Sequence, residues 1–485
     1  MPTDPGLRRL ALRTLLAAFA GKSMPEWAGV LLTDGLAGHT LFGTNIADDA
    51  QVAALTAELR SVRPDALIAI DEEGGDVTRL GHRTGSPYPG NAALGAIDDP
   101  DLTHRVYAAI GADLARLGIA FDLAPAADVN TADDNTVIGT RSFGADPQHV
   151  ARHTHAAVTG LQSVGVAACA KHFPGHGATT TDPHLALPTI DAPGHVLRER
   201  DLPPFAAAIA AGTRAIMTAH IRVPELTGPA PATFSRAILQ DLLRHEYGFT
   251  GVIATDALEM AGAAASAGGL GAAAVLALEA GADLLCLGAR VDHELVEHVV
   301  EEIVTAVRDG RLTTARLEEA AARTADLSAW TRQARTLPPP DPDLGYAAAR
   351  RALRVEGSLT GFMNPLVVQL EYSHTISEGR VPWGLAPHLD GTEQISAVSA
   401  DATTEALIER AGARPIVMVG RRTHRTDSTR ALIEALAARH PVAVVEMGWP
   451  SAWRPAEARA FLVTYGATHA NGRAAAEALG LSRPA

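Results

Sequence analysis

Over the first two thirds of the chain, short apolar runs alternate with longer amphipathic stretches. Eight runs read as β-strands, at 14–19, 39–42, 66–71, 120–124, 166–171, 215–219, 251–255 and 283–287. Between them lie alanine-rich segments with apolar residues at helical spacing, at 25–33, 48–62, 101–117, 148–164, 202–211, 235–247 and 271–280. A further one, 294–308, follows the last run. Strands apolar on both faces that alternate with helices predict a parallel sheet. Eight such units fit a closed (β/α)8 TIM barrel. An open doubly wound sheet is the other arrangement of this pattern. Its glycine-rich phosphate fingerprint is missing after the first strand, where Ala20-Gly21-Lys22-Ser23 has one glycine.

Beyond Thr331 the pattern changes. The stretch Leu337-Pro338-Pro339-Pro340-Asp341-Pro342-Asp343 reads as a semi-rigid linker. Apolar runs at 366–370, 396–399, 416–419, 442–446 and 461–465 then alternate with helices such as 427–439 and 472–479. The expected organisation is a barrel domain over 1–335, a proline-rich linker over 336–343 and a smaller α/β sandwich over 344–485. The smaller domain is expected to be an open doubly wound sheet.

Composition narrows the partners. A chain of 485 residues exceeds one ordinary core, and 47% apolar with 20% charged residues is globular. The net charge of −14 argues against a nucleic-acid or anionic-membrane surface. No run reaches the ~18 apolar residues of a membrane span. The apolar stretch 7–20 is interrupted by Arg13 and reads as a first barrel strand rather than a signal peptide. Cys169 and Cys286, the only cysteines, sit in strand-like runs and are expected to be buried thiols in a reducing, cytoplasmic setting.

The chemistry concentrates at Lys171-His172-Phe173-Pro174-Gly175-His176-Gly177 and, just beyond, Asp182-Pro183-His184. Of 41 basic residues only Lys22 and Lys171 are lysines. A lysine kept where arginine is the default suits a site that needs a compact ammonium. In a barrel, residues at the carboxyl ends of strands line the active site. Those ends carry Asp71-Glu72-Glu73, Asp128, Lys171-His172, His220 and Asp256, a lining suited to a polyhydroxylated ligand. Each residue also has an ordinary use. Asp71 and Asp256 could cap helices, Asp182 could start a turn, His184 could be solvated, and the glycines could serve tight turns. Their convergence on one rim weakens these readings.

Lys171-His172-Phe173-Pro174-Gly175-His176-Gly177 followed by Asp182-x-His184 resembles the signature of glycoside hydrolase family 3, in its β-N-acetylglucosaminidase branch. Asp71-x-Glu73-Gly74-Gly75, Ala124-Pro125-x-x-Asp128-Val129-Asn130, Arg141-Ser142-Phe143-Gly144 and Thr255-Asp256-x-Leu258-x-Met260 match further blocks of that family in order. The resemblance implies a retaining enzyme with Asp256 as nucleophile and His184 as acid/base, partnered by Asp182. It implies that Asp71, Arg141, Lys171, His172 and His220 hold the sugar ring. It implies an N-acetylglucosamine-containing saccharide from muropeptide or chitin-type fragments as substrate, with a role in peptidoglycan turnover. No metal and no cofactor is implied, and the chain is expected as a monomer or homodimer. The segment 173–188, rich in Gly and Pro, would let His184 move in and out of the site.

Three positions depart from the family pattern: Pro183 within the dyad, Ala257 after the nucleophile, and Asp76 where a basic residue is common. Three other functions compete with hydrolysis: a phosphorylase of the same fold, a zinc-dependent amidohydrolase, and a non-catalytic sugar binder. The zinc reading lacks a His-x-His after the first strand.

Overall fold

The computed structural model describes residues 4–179, 181–182, 186–289 and 291–482. The chain divides into two compact units. The first comprises Met1–Glu73, Pro100–Ile138 and Gly144–Pro340, and the second comprises Gly74–Asp99, Gly139–Phe143 and Asp341–Ala485. Two segments within residues 1–335 thus belong to the second unit.

In the first unit eight parallel strands form one sheet: β1 (Leu15–Ala17), β2 (Gly38–Leu41), β3 (Leu67–Ile70), β4 (Phe121–Asp122), β5 (Ala167–Phe173), β6 (Ala215–Thr218), β7 (Val252–Thr255) and β8 (Leu285–Leu287). Their order is β7-β6-β5-β4-β3-β2-β1-β8, and a parallel bridge from Ala254 to Leu284 joins the two ends. This is the (β/α)8 barrel that the alternation predicts. Alternate strand positions such as Leu67, Ala69, Phe121, Ala167, Cys169, Ala215, Ala254 and Cys286 meet in one buried cluster. Both cysteines are free and buried.

The apolar stretch 7–20 divides in two. Its first part is the helix Pro5–Leu12, whose N-terminus Asp4 caps by accepting from Gly6 N at 2.8 Å, and its second part holds β1. At the amino end of β8, Asp283 is fully buried and binds Arg244, Arg316 (2.6 Å) and Arg323 (3.2 Å). Ionic bracing at this end leaves the opposite end of the barrel to function. Among the described residues no single helix is long and apolar enough to cross a membrane.

The second unit is a six-stranded sheet of β9 (Arg354–Gly357), β10 (Leu366–Leu370), β11 (Gln394–Ala397), β12 (Ile416–Gly420), β13 (Val442–Glu446) and β14 (Ala460–Val463). The order is β11-β10-β12-β13-β14-β9, parallel except for β9, which runs antiparallel to β14. Val368, Met418 and Val444 pack one face with Leu432 and Leu436, while Val367, Val417 and Val445 pack the other with Leu385 and Ala475. Helices on both faces make this the α/β sandwich expected from the pattern. β9 was not expected, because all four of its residues are exposed and it joins the edge through backbone pairing.

Segment 74–99 is tied to this unit by specific contacts. Arg79 Nη1 donates to Ser377 O at 2.9 Å, Arg354 Nη2 donates to Ala96 O at 3.0 Å, and Arg351 pairs with Asp99 at 2.9 Å.

Candidate active site

Strand β5 organises the carboxyl end of the barrel. Its pairing with β6 slips between Ala170 and Phe173, so Lys171 and His172 fall where the ladder is irregular. Such a slip re-aims side chains away from the regular in-and-out alternation. Lys171 Nζ lies 2.7 Å from Asp71 Oδ1, just past β3, and 2.7 Å from Glu73 Oε1. The Lys171 and Glu73 side chains are almost wholly buried, whereas that of Asp71 is 19% exposed. The ammonium thus anchors Asp71 at the mouth of the barrel.

Asp128, beyond β4, is the second organising carboxylate. Its Oδ2 accepts from His172 Nδ1 at 2.8 Å, and its Oδ1 accepts from the backbone N–H of His176 at 2.7 Å and of His172 at 3.3 Å. A carboxylate on Nδ1 keeps the proton there and fixes the ring orientation. The turn depends on glycine as well. A Cβ on Gly177 would stand 1.8 Å from Val129 O, and Gly175 has φ +126° with its missing Cβ directed 2.7 Å from Asp201 Cβ. Asp201, fully buried, has its carboxyl pushed up to about 6 by burial, with Arg200 pulling the other way.

On the far side of the ring, Asp256 follows β7. Its Oδ1 accepts from Ala257 N at 2.7 Å. His220, after β6, lies with Nε2 3.0 Å from Ala257 O and Nδ1 2.8 Å from Thr233 Oγ1. A carbonyl can only accept, so Nε2 is the donor and carries hydrogen. His220 therefore steadies the peptide that follows Asp256. Beneath this ring Asp122 is fully buried, and that burial raises its carboxyl well above the ordinary range. Burial pushes the Cys169 thiol up, and the charge of Lys171 pulls the other way.

Asp71, Lys171, His172, His220 and Asp256 therefore lie at the carboxyl ends of neighbouring barrel strands. Asp182 is described and half-buried, its carbonyl accepting from Ala186 N at 3.1 Å. His184 and Pro183 lie outside the described residues. Arg141 belongs to the second unit, where it is buried and its carbonyl accepts from Asn91 Nδ2 at 2.7 Å. Glu73 and Asp128 were read in the sequence as part of the lining of the mouth, but neither was given a catalytic or sugar-holding role. Each is an acid just past a strand end, and that position was the available signal.

The family model for the glycosyl hydrolase family 3 N-terminal domain matches residues 12–327. The chain belongs to glycosyl hydrolase family 3. A beta-hexosaminidase of Stenotrophomonas maltophilia is 39% identical over 315 residues, covering 62% of this chain and 89% of that protein. Beta-hexosaminidase A of Pseudoalteromonas piscicida is 34% identical over 328 residues, a match spanning 62% of this chain and 55% of that longer protein. Among solved structures, the family 3 β-N-acetylglucosaminidase of Paenibacillus sp. str. FPU-7 superposes with a TM-score of 0.86 at 32% identity, covering 98% of this chain and 97% of that one.

Within family 3 the departure at Asp76 has a structural reason. Asp76 is buried in the second unit, where its Oδ2 binds Arg421 Nη2 at 2.7 Å and accepts from Thr140 Oγ1 at 2.6 Å. Its Oδ1 accepts from Ala467 N at 2.8 Å. The basic charge is thus carried by Arg421, with Asp76 as its anchor.

Proposed function

We propose that this family 3 glycoside hydrolase is a retaining exo-β-N-acetylglucosaminidase, releasing terminal N-acetyl-β-D-glucosamine from cell-wall or chitin-type fragments. One observation carries the reading: Asp71 and Asp256 follow β3 and β7, and Lys171 lies near the carboxyl end of β5, at the barrel end where such enzymes keep their reacting groups. Relatives named as beta-hexosaminidases and the Paenibacillus β-N-acetylglucosaminidase support the substrate class.

In this reading a carboxylate oxygen of Asp256 attacks the anomeric carbon while its bond to the leaving oxygen breaks. His184 delivers a proton to that oxygen, and Asp182 accepts from the other imidazole nitrogen and steadies the cation. Water then attacks the anomeric carbon, returns a proton to His184 and frees the Asp256 carboxylate. Two inversions retain the β configuration. An imidazole titrates near neutral pH without special tuning, so it suits both halves of the cycle. Asp71, oriented by Lys171, accepts from ring hydroxyls, and His172 completes the sugar's binding in the barrel. No step requires a metal or cofactor. The buried free thiols suit a reducing compartment and support a cytoplasmic location. In this reading the enzyme serves peptidoglycan turnover as a monomer or homodimer.

A panel of nitrophenyl glycosides, assayed with and without phosphate, tests this reading. It predicts release of free N-acetylglucosamine from the N-acetylglucosaminide, at a rate independent of phosphate. A sugar phosphate product would make the protein a phosphorylase, and binding without turnover would make it a sugar-binding homologue.

A further inference from the structure

The second unit carries a crevice of its own. From β10 the chain crosses to β11 at the sheet edge, and from β12 it proceeds to β13 in the opposite direction. The carboxyl ends of β10 and β12 therefore flank the point where the crossovers diverge. Open parallel sheets leave a ligand crevice at such a point. A cavity of about 240 Å³ opens at the end of β10, lined by Gln369, Leu370, Glu371, Tyr372, Trp383 and Ser396. The connection from β10 to β11 that supplies Tyr372 and Trp383 is far longer than the 2–6 residues typical of βα loops, and loops that long are commonly functional.

The aromatic wall is held in place from behind. Tyr372 donates its hydroxyl to Glu378 Oε2 at 3.2 Å, and the Arg421 guanidinium stands 4.3 Å from its ring centroid. Arg421 is itself fixed between Asp76 Oδ2 (2.7 Å) and Glu378 Oε1 (2.8 Å), and all three side chains are at least 95% hidden. Trp383 meets the Tyr372 ring edge-on at 6.1 Å, and both residues are only partly buried. Two large aromatics locked in register but left partly open form a preorganised platform.

The chemistry of the crevice selects the ligand. In a nucleotide-binding sheet the amides of a strand-to-helix turn would meet a phosphate. Here the amides after β12 are already occupied by a carboxylate of the chain. Glu446 accepts from Arg422 N (2.7 Å), Thr423 N (2.7 Å) and Thr423 Oγ1 (2.6 Å), and also from Gly448 N (2.7 Å). The lining has one carboxylate, Glu371, and no basic group, so an anion is disfavoured. Ser396 offers a hydroxyl beside the aromatic faces. Gln369, whose Oε1 accepts from Gln394 Nε2 at 3.2 Å and whose Nε2 donates to Trp383 O at 3.5 Å, holds the floor of the crevice. The two rings meet at 77°, and a single aromatic face with neutral polar groups at its edge matches a pyranose ring, which has an apolar C–H face and a rim of hydroxyls.

We propose that this crevice is a second saccharide site, binding one neutral pyranose ring against Tyr372 and Trp383. It rests on the enzymatic reading above only for the choice of probe. Full-length protein carrying Asp256→Ala is titrated with the disaccharide of N-acetylglucosamine by equilibrium dialysis, alone and with Trp383→Ala added. Two binding events per chain are expected, and Trp383→Ala removes one of them or weakens it at least tenfold. Should Trp383→Ala fold poorly by circular dichroism, Ser396→Trp serves instead, since it fills the crevice from an exposed position and is expected to abolish the same event. A stoichiometry of one or none, unaffected by either substitution, overturns the proposal. Turnover by the wild-type enzyme with no Trp383-dependent site refutes the crevice alone. A Trp383-dependent site without turnover refutes the enzymatic reading alone.

Discussion

Lys171 Nζ lies 2.7 Å from Glu73 Oε1, and each side chain is only 2% exposed. Asp71, 2.7 Å away on the same nitrogen, completes a cluster of one cation between two anions. Removing the cation leaves Glu73 as a buried charge without its partner. Lys171→Met is therefore expected to lower the unfolding free energy by about 3–5 kcal/mol in urea titrations, since breaking a buried ion pair has costs of that size. Lys171→Arg is expected to recover little, because a planar fork cannot take the place of a compact ammonium. Unchanged denaturation midpoints in both variants would contradict this account of the cluster.

Asp128 holds His172 by its ring and its backbone, and His176 by its backbone. Asp128→Ala leaves these buried donors without their acceptor. The expected loss is about 1–3 kcal/mol of stability for the orphaned groups and at least about a hundredfold in kcat/KM through lost positioning. Asp128→Asn keeps one acceptor oxygen for the backbone amides but presents an NH₂ or a weaker acceptor to His172. It should recover stability better than activity. Equal recovery of both, measured by melting and by aryl glycoside turnover, would speak against a positioning role.

Much of this was legible in the residues themselves. The eight barrel strands stand out because each is apolar on both faces and bounded by helical spacing. Lys171 stands out because arginine is the rule elsewhere in the chain. Three features were hidden for physical reasons. β9 joins the sheet through its backbone ladder to β14 with all four residues exposed, so burial leaves no apolar trace in it. Asp76 finds Arg421 across 345 positions of sequence, a pairing that local pattern cannot reveal. His220 directs a ring nitrogen at Ala257 O, a backbone partner with no side-chain signature.

The Asp76–Arg421 contact yields a prediction for the second unit. Asp76 is 2% exposed and Arg421 4%, so the pair is shielded from solvent. Asp76→Lys, which supplies the basic residue common in the family, sets like charges against each other in a dry environment. It is expected to cost about 3–5 kcal/mol or to prevent folding of the second unit. Adding Arg421→Met to the same chain should restore part of that loss. A destabilisation that Arg421→Met leaves unrelieved would show that charge is not the cause.

Asp201 sets a pH dependence of stability. Burial raises its carboxyl from 3.8 to about 6, so between these values the folded chain holds a proton that the unfolded chain has released. Stability from this group is complete below the unfolded value and is lost as pH rises through about 6, a change of about 3 kcal/mol. Asp201→Asn removes the ionisation. The melting temperature of the wild type relative to Asp201→Asn should therefore fall between pH 4 and pH 7. A constant difference across that range would contradict the shift.

The central claim is that Asp256 is the nucleophile of a β-N-acetylglucosaminidase, and it is tested most directly by release of nitrophenol from nitrophenyl N-acetyl-β-D-glucosaminide. Asp256→Ala is expected to fold as the wild type does and to lose roughly 10⁴-fold or more in kcat, as removal of a nucleophile does elsewhere. A well-folded Asp256→Ala protein with wild-type turnover would contradict the account.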